Sequence, residues 1–155
     1  MTPAINLAKK NKIKYTVHEY DHDTSVQSYG LEASEKLGIE ETRVFKTLVV
    51  MLQDKSLAVA IIPVSDMLNM KQMAKALGAK KCTMADKFDV ERSTGYILGG
   101  VSPIGQKKLL KTVINISAKE FETIFISAGR RGLEIEISPL DLQKLTKANF
   151  ENLIT

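Results

Sequence analysis

The chain is poor in the residues from which many active centres are built: of 155 residues one is cysteine, two are histidine and none is tryptophan. The lone thiol, Cys82, cannot make a disulfide framework or a zinc site of cysteine pairs, and it suits a reducing compartment. Long apolar runs are also missing. The longest, Leu57 to Val64, falls far short of the roughly 20 residues needed to span a bilayer. The N-terminus, Met1-Thr2-Pro3-Ala4-Ile5, has no extended apolar segment followed by a small-residue cleavage site. The chain therefore reads as soluble and cytoplasmic. It carries no Gly-x-Ser-x-Gly elbow, no phosphate loop ending in Gly-Lys-Ser/Thr and no dinucleotide fingerprint between a strand and a helix. Internal repeats, linkers and low-complexity tracts are absent as well.

What is present is enough for one core. Hydrophobic residues make up 44% of the chain, so a single domain over residues 1–155 is expected, and a monomer is the default. Lys and Arg number 22 against 18 acids, a net charge of +4 that suits a polyanionic partner without requiring one.

Periodicity divides the chain into elements. Thr2-Pro3 predicts a capped helix through about Lys10. Lys14 to Tyr20 alternates as a strand, and the polar stretch Asp21 to Gln27 carries too little hydrophobicity to pack. Tyr29 to Leu37 has helical spacing, with Gly38 as its stop. Val44 to Leu52 and Ser56 to Val64 predict a hairpin at the centre of a sheet. Asn69 to Leu77 is the clearest helix, with Met70 and Met73 on its core face. Ser93 to Gly105 is too rich in glycine for a helix. Strands are expected at Thr112 to Ile116, Thr123 to Ser127 and Leu133 to Ile137, with Ala128 to Gly132 turning between the last two. Ser138-Pro139-Leu140-Asp141 is a capping-box pattern opening a C-terminal helix. Strands and helices are interspersed without a βαβ period, which implies an α+β fold on a mixed, strongly curved sheet.

Few residues stand out chemically. Lys46 interrupts Val44-Phe45-Lys46-Thr47-Leu48-Val49-Val50 and shares a face with Val44, Leu48 and Val50. Its ammonium must either reach solvent or face an anion or carbonyl in a cleft. Gly99 and Gly100 either make a bulge or offer backbone N–H groups to a reacting ester. His18 and His22, four apart, could share a metal only on a helix, and their surroundings alternate as a strand. That leaves one of them free to line a pocket as a polar group. Cys82 has no histidine near it in sequence and reads as a packing residue. Lys71, Lys75, Lys80, Lys81, Lys107, Lys108, Lys111, Arg130 and Arg131 form either a solvated surface or, gathered on one face, a phosphate-contacting one.

In order along the chain, Met1-Thr2-Pro3-Ala4, His18-x-Tyr20-x-His22-Asp23, Phe45-Lys46-Thr47-Leu48, Ala74-Lys75-Ala76-Leu77-Gly78-Ala79-Lys80-Lys81, Met84-Ala85-Asp86, Arg92-Ser93-Thr94-Gly95-Tyr96, Gly99-Gly100-x-Ser102-Pro103-x-Gly105-Gln106-Lys107-Lys108 and Arg131-Gly132-Leu133 resemble the YbaK family of bacterial aminoacyl-tRNA deacylases. That family is related to the editing domain inserted in bacterial prolyl-tRNA synthetases. The resemblance implies a barrel-like mixed sheet flanked by helices, enclosing a pocket for the aminoacyl group and terminal adenosine. It makes Lys46 the signature catalytic residue, supported by the Gly99 and Gly100 backbone, with Tyr20, Tyr29, Thr47, Ser127 and Glu134 binding substrate. Tyr29 stands where relatives have phenylalanine and Glu134 where some have aspartate, so the outer wall is expected to differ. No cofactor and no metal are implied.

The implied activity is removal of mischarged cysteine from tRNA(Pro), extending to Cys-tRNA(Cys), with the substrate's own thiol attacking its carbonyl. The implied partners are the 3′ end of an aminoacylated tRNA and prolyl-tRNA synthetase. Hydrolytic editing of another small amino acid such as alanine, and an inactive module binding tRNA or synthetase, are the alternatives.

Overall fold

The computed structural model describes residues 1–25 and 29–155. Helix α1 (Pro3–Lys10) begins where Thr2 accepts the Ile5 N–H and Pro3 takes the first helical position, a place where a missing N–H costs nothing. Strand β1 (Tyr15–Glu19) and helix α2 (Tyr29–Leu37) follow, then the hairpin of β2 (Phe45–Leu52) and β3 (Leu57–Pro63). Beyond it come α3 (Met70–Leu77), β4 (Cys82–Met84), α4 (Lys87–Thr94) and β5 (Lys111–Asn115). The chain ends with β6 (Ile124–Arg130), β7 (Leu133–Ile137), α5 (Pro139–Thr146) and β8 (Asn149–Glu151).

The strands form two sheets, one ordered β1-β7-β6 and the other β4-β2-β3-β5-β8. The first is antiparallel. The second is mixed: β2 runs antiparallel to β3 and β4, while β3–β5 and β5–β8 are parallel. The mixed architecture with flanking helices is as expected. In place of one barrel-like sheet there are two, joined by the parallel bridge Val44–Phe125, and no closed barrel forms among the described residues.

Period-two alternation accounts for the layers. Along β3, Val59 and Ile61 enter a core cluster with Ile124, Ile126, Ile135 and Ile137 of the first sheet. Ala58, Ala60 and Ile62 point the other way, onto Met73, Ala74 and Leu77 of α3. Being covered on both faces, β3 is buried nearly throughout, which is why its sequence is apolar without alternation. A smaller cluster of Ala33, Val44, Val64 and Phe125 seats α2 on the outer face of the three-stranded sheet.

Several elements differ from expectation. Ser93 and Thr94 are the last residues of α4, and the glycine-rich path begins only at Gly95. That helix has Val90 as its one large buried residue, so its capping by Asp86, whose side chain accepts the Asp89 N–H at 2.8 Å, matters more than periodicity. Strand β6 continues to Arg130 through a register shift between Ser127 and Arg130, so the turn before β7 is tighter than the expected Ala128–Gly132. Ser138 makes no side-chain capping bond; Pro139 at the first position starts α5 instead. Of the polar stretch Asp21 to Gln27, residues 26–27 lie outside the described residues. The part before them does pack: His22 Nδ1 lies 2.7 Å from Glu32 Oε1 and the Asp23 N–H donates to Glu32 Oε2 at 2.8 Å.

Candidate active site

Strand β2 has an open stretch. Its Val50 to Leu52 end pairs with β4, and its start meets β6 through the Val44–Phe125 bridge. Between them, Lys46, Thr47 and Leu48 have a ladder partner on the β3 side alone. A cavity of about 270 Å³ occupies this gap, bounded by β2, by Ser127 of β6 and Glu134 of β7, by Tyr29 of α2 and by Gly99 of the glycine-rich loop.

Of the two fates open to Lys46, the side chain lines this cavity. Burial pulls its pKa down, and the charge of Asp66 only partly offsets that. No hydrogen bond or ion pair of the Lys46 ammonium exists among the described residues. Among the described residues Lys46 is thus a partly desolvated cation with no direct ion pair, and Asp66 is the one charge acting on it.

Elsewhere in the lining is the opposite case. Glu134 is buried, and burial pushes its carboxyl up to about 8, so at pH 7 it is mostly a neutral acid that can donate a hydrogen bond. Tyr20 also lines the cavity; burial first, and then the charge of Glu134, push its phenol to about 12, which keeps it protonated at physiological pH. The Thr47 hydroxyl is buried with no hydrogen-bond partner among the described residues, and a polar atom so placed costs free energy unless a ligand satisfies it. Ser127 Oγ accepts the Gly129 N–H at 3.1 Å, leaving its own proton to give. The lining thus combines three cations (Lys46, Arg130 and Arg131), one neutral acid and hydroxyls with apolar side chains.

The two glycines separate. Gly99 lines the cavity at φ +98°, and a Cβ there would lie 2.6 Å from the Tyr29 ring, so only glycine lets loop and ring close on each other. Its N–H makes no backbone bond among the described residues. Gly100 does not line the cavity; it packs on the Arg130 backbone, and its N–H is engaged by the Ile97 carbonyl at 2.8 Å. Of the expected pair, Gly100 has its N–H taken and lies off the cavity, and Gly99 alone lines it.

Tyr20, Tyr29, Lys46, Thr47, Gly99, Ser127 and Glu134 all meet at this cavity. The sequence reading missed Leu98, Val101 and Arg131 as lining residues. Arg131 has its guanidinium 3.5 Å from the centre of the Tyr29 ring, making the aromatic wall a stacked pair. Only its place in a basic doublet after a turn hinted at this. The histidines go elsewhere, His22 to Glu32 and His18 Nε2 to Glu136 Oε1 at 2.9 Å. Cys82 is buried under α3, where burial raises its thiol pKa and Sγ contacts the Met70 carbonyl at 3.4 Å; it is a packing residue.

A family model described as "Aminoacyl-tRNA editing domain" matches residues 25–145. The chain is 39% identical to "Putative Cys-tRNA(Pro)/Cys-tRNA(Cys) deacylase EbsC" of Enterococcus faecalis, over 99% of this chain and 93% of that protein. It is 34% identical to part of a proline–tRNA ligase of Shouchella clausii, over 54% of this chain but 17% of the ligase. A solved structure described as "a putative trans-editing enzyme for prolyl tRNA synthetase" superposes with a TM-score of 0.82 at 18% identity, covering 100% of this chain and 99% of that one; at that identity the match speaks for the fold. With the family model spanning most of the sequence and the Enterococcus relative matching nearly end to end, this chain belongs to the aminoacyl-tRNA editing domain family.

Proposed function

We propose that this chain is a trans-acting aminoacyl-tRNA deacylase that removes cysteine wrongly attached to tRNA(Pro), with Cys-tRNA(Cys) as a further substrate. The observation that carries the reading is the presence in one cavity of Lys46, which has no direct ion pair among the described residues, and a neutral Glu134. An aminoacyl ester is already activated, so the enzyme needs orientation and stabilisation of a developing oxyanion more than a strong nucleophile. Lys46 holds the ester carbonyl or the terminal phosphate, and the Gly99 N–H supports the oxyanion. Glu134, carrying its proton, donates a hydrogen bond to the developing oxyanion, as a stronger donor than an amide would be, and adds no negative charge that would repel it. Tyr20, Thr47 and Ser127 orient the aminoacyl group by hydrogen bonds, and Tyr29 closes the outer wall.

With a cysteinyl ester, the substrate sulfur attacks its own carbonyl carbon and the bond to the ribose oxygen breaks. The thiol proton ends on that oxygen, giving free tRNA and a four-membered thiolactone of cysteine. This chemistry explains selectivity that binding cannot supply, because a one-atom difference in a small side chain is worth only about 1–3 kcal/mol. The enzyme works in the cytosol, and prolyl-tRNA synthetase, part of whose chain this one resembles, is the partner that supplies tRNA selectivity.

A panel of Cys-, Ser- and Ala-charged tRNAs, each with and without prolyl-tRNA synthetase, tests this. Cysteine should be released fastest, and Lys46→Ala should lower kcat/KM by about 100-fold, the scale of losing one oxyanion partner. Wild-type rates in Lys46→Ala would remove the central residue of the mechanism, and equal release of serine and cysteine would remove the thiol.

A further inference from the structure

A second cavity, of about 510 Å³, lies at the other end of the β2–β3 hairpin, bordered by Met51, Leu57 and the start of β5. Met51 pairs with Leu57 across the hairpin and shares a strand face with Thr47. Four residues of β-strand separate them, about 13 Å, and at the first cavity both faces of β2 contribute, Lys46 and Leu48 as well as Phe45 and Thr47. Helix α4 and its following loop form their common wall. Ser93 borders the second cavity and Leu98 the first, and the Leu98 N–H is tied back to the Glu91 carboxylate at 2.8 Å.

The rim of this second cavity is cationic. Lys55, Arg92 and Lys108 line it against a single carboxylate, Asp89, and none of the three forms an ion pair among the described residues. The nearest acid in sequence to Lys55 is already engaged, since the Asp54 carboxylate accepts both the N–H and the hydroxyl of Ser56. The Lys108 backbone is fixed to Ser93 by an N–H bond of 3.2 Å, and Arg92 lies 5.6 Å from the Phe88 ring centre. Lys111 also borders the cavity but turns its ammonium to the Leu77 carbonyl at 3.2 Å. Three cations without ion pairs around a concavity, next to a site for an RNA terminus, match the charge of a sugar–phosphate backbone.

We propose that this cavity is a phosphate-binding site for the acceptor strand of the tRNA whose 3′ end occupies the first cavity. The proposal rests on the deacylase reading, and it assigns to Lys55, Arg92 and Lys108 a positioning role with no part in bond breaking. The span between the cavities corresponds to a few nucleotides. A bound strand would cross the α4 loop and deliver its terminal ester to Lys46.

The triple variant Lys55→Glu, Arg92→Glu, Lys108→Glu changes exposed side chains only, and unchanged thermal unfolding checks its fold. Binding of an uncharged acceptor-stem hairpin ending in CCA is measured by fluorescence anisotropy over a series of salt concentrations. The triple variant should bind roughly tenfold or more weakly, with the log–log salt slope reduced by about 2. On cysteinyl-tRNA its KM should rise while kcat holds, and on cysteinyl-adenosine, which lacks the upstream phosphates, kcat/KM should equal the wild-type value. Wild-type hairpin affinity and salt slope in the triple variant, or a wild-type protein whose hairpin binding is insensitive to salt, would overturn the site. If the wild-type protein turned over neither ester, the deacylase reading would fail, while hairpin binding would still report on the groove.

Discussion

Two glutamates on one strand face have opposite surroundings. Glu134 and Glu136 are two residues apart on β7 and so share a side of the sheet. Glu136 is pinned by the Thr123 hydroxyl, by His18 and by the Arg43 guanidinium at 3.6 Å. The Thr123 bond leads the influences holding its carboxyl below the usual range. Glu134 has burial alone acting on it and is driven the other way, to about 8. Arg43 also donates to the Thr123 carbonyl and lies 5.1 Å from the Phe125 ring centre, so the Glu136 end is clamped to the segment entering β2. One end of the face is fixed by hydrogen bonds so that the other can hold polar groups unpaired. A cavity of such groups keeps its shape only if its neighbours are rigid.

Substitution can break this contrast in both directions. Glu136→Ala strips the carboxylate shared by Thr123, His18 and Arg43 and should cost about 2–3 kcal/mol of stability, read as a lower midpoint in urea, with modest change in kcat/KM at a temperature where the variant is folded. Glu134→Gln should do the reverse. It keeps a hydrogen-bonding group of similar size and removes the acid, so stability at pH 8 should hold or rise, while deacylation falls by about tenfold, equivalent to roughly 1.4 kcal/mol of transition-state stabilisation. If Glu134→Gln unfolded the protein or Glu136→Ala abolished activity in the folded state, the division between clamp and site would be wrong.

Titration sharpens the same contrast. The folded protein keeps a proton on Glu134 that the unfolded chain releases near 4.5, so this residue lowers stability progressively as pH rises from about 4.5 to about 8. Glu136 has the opposite sign: its contribution is present above about 4.5 and is lost as pH falls through its depressed folded value. Thermal midpoints of the wild type and Glu134→Gln should diverge as pH climbs through that window, with the variant the more stable at pH 8. The wild-type kcat/KM, corrected for spontaneous ester loss, should fall near pH 8 by a limb that Glu134→Gln lacks. Parallel stability curves would mean that Glu134 is solvated and ionised.

The hairpin and α3 were legible in the sequence because their cores are built from uninterrupted local patterns: Val59 and Ile61 on one face, Ala58, Ala60 and Ile62 on the other, and Met73 and Leu77 at helical spacing. Lys46 was legible as an anomaly, though the choice between solvent and cavity needed the gap between β4 and β6. The state of Glu134 was not legible, because Leu133-Glu134-Ile135-Glu136-Ile137 reads as a strand with two equivalent outward acids, and only the three-stranded sheet and α2 make them unequal. The roles of Gly99 and Gly100 diverge for the same reason: one meets a ring from α2 and the other the backbone of β6, contacts distant in sequence. Helix α4 and the three-residue strands β4 and β8 were missed since each buries too little to leave a periodic trace.

The smallest effect is expected at the outer wall, where Tyr29 meets Gly99 on one side and Arg131 on the other. What the wall requires is the ring: it fills the space opposite the loop glycine, and its face holds a guanidinium, an attraction worth about 0.5–2 kcal/mol. Tyr29→Phe retains both and removes only the hydroxyl, so kcat/KM for cysteinyl-tRNA should change by no more than about twofold, within roughly 0.4 kcal/mol. Tyr29→Ala deletes the ring, leaves Arg131 without its stack and opens the cavity beside Gly99, and should cost distinctly more. A loss in Tyr29→Phe as large as that in Tyr29→Ala would make the hydroxyl a substrate contact, and the wall would then belong with Glu134 among the groups held ready for the ester.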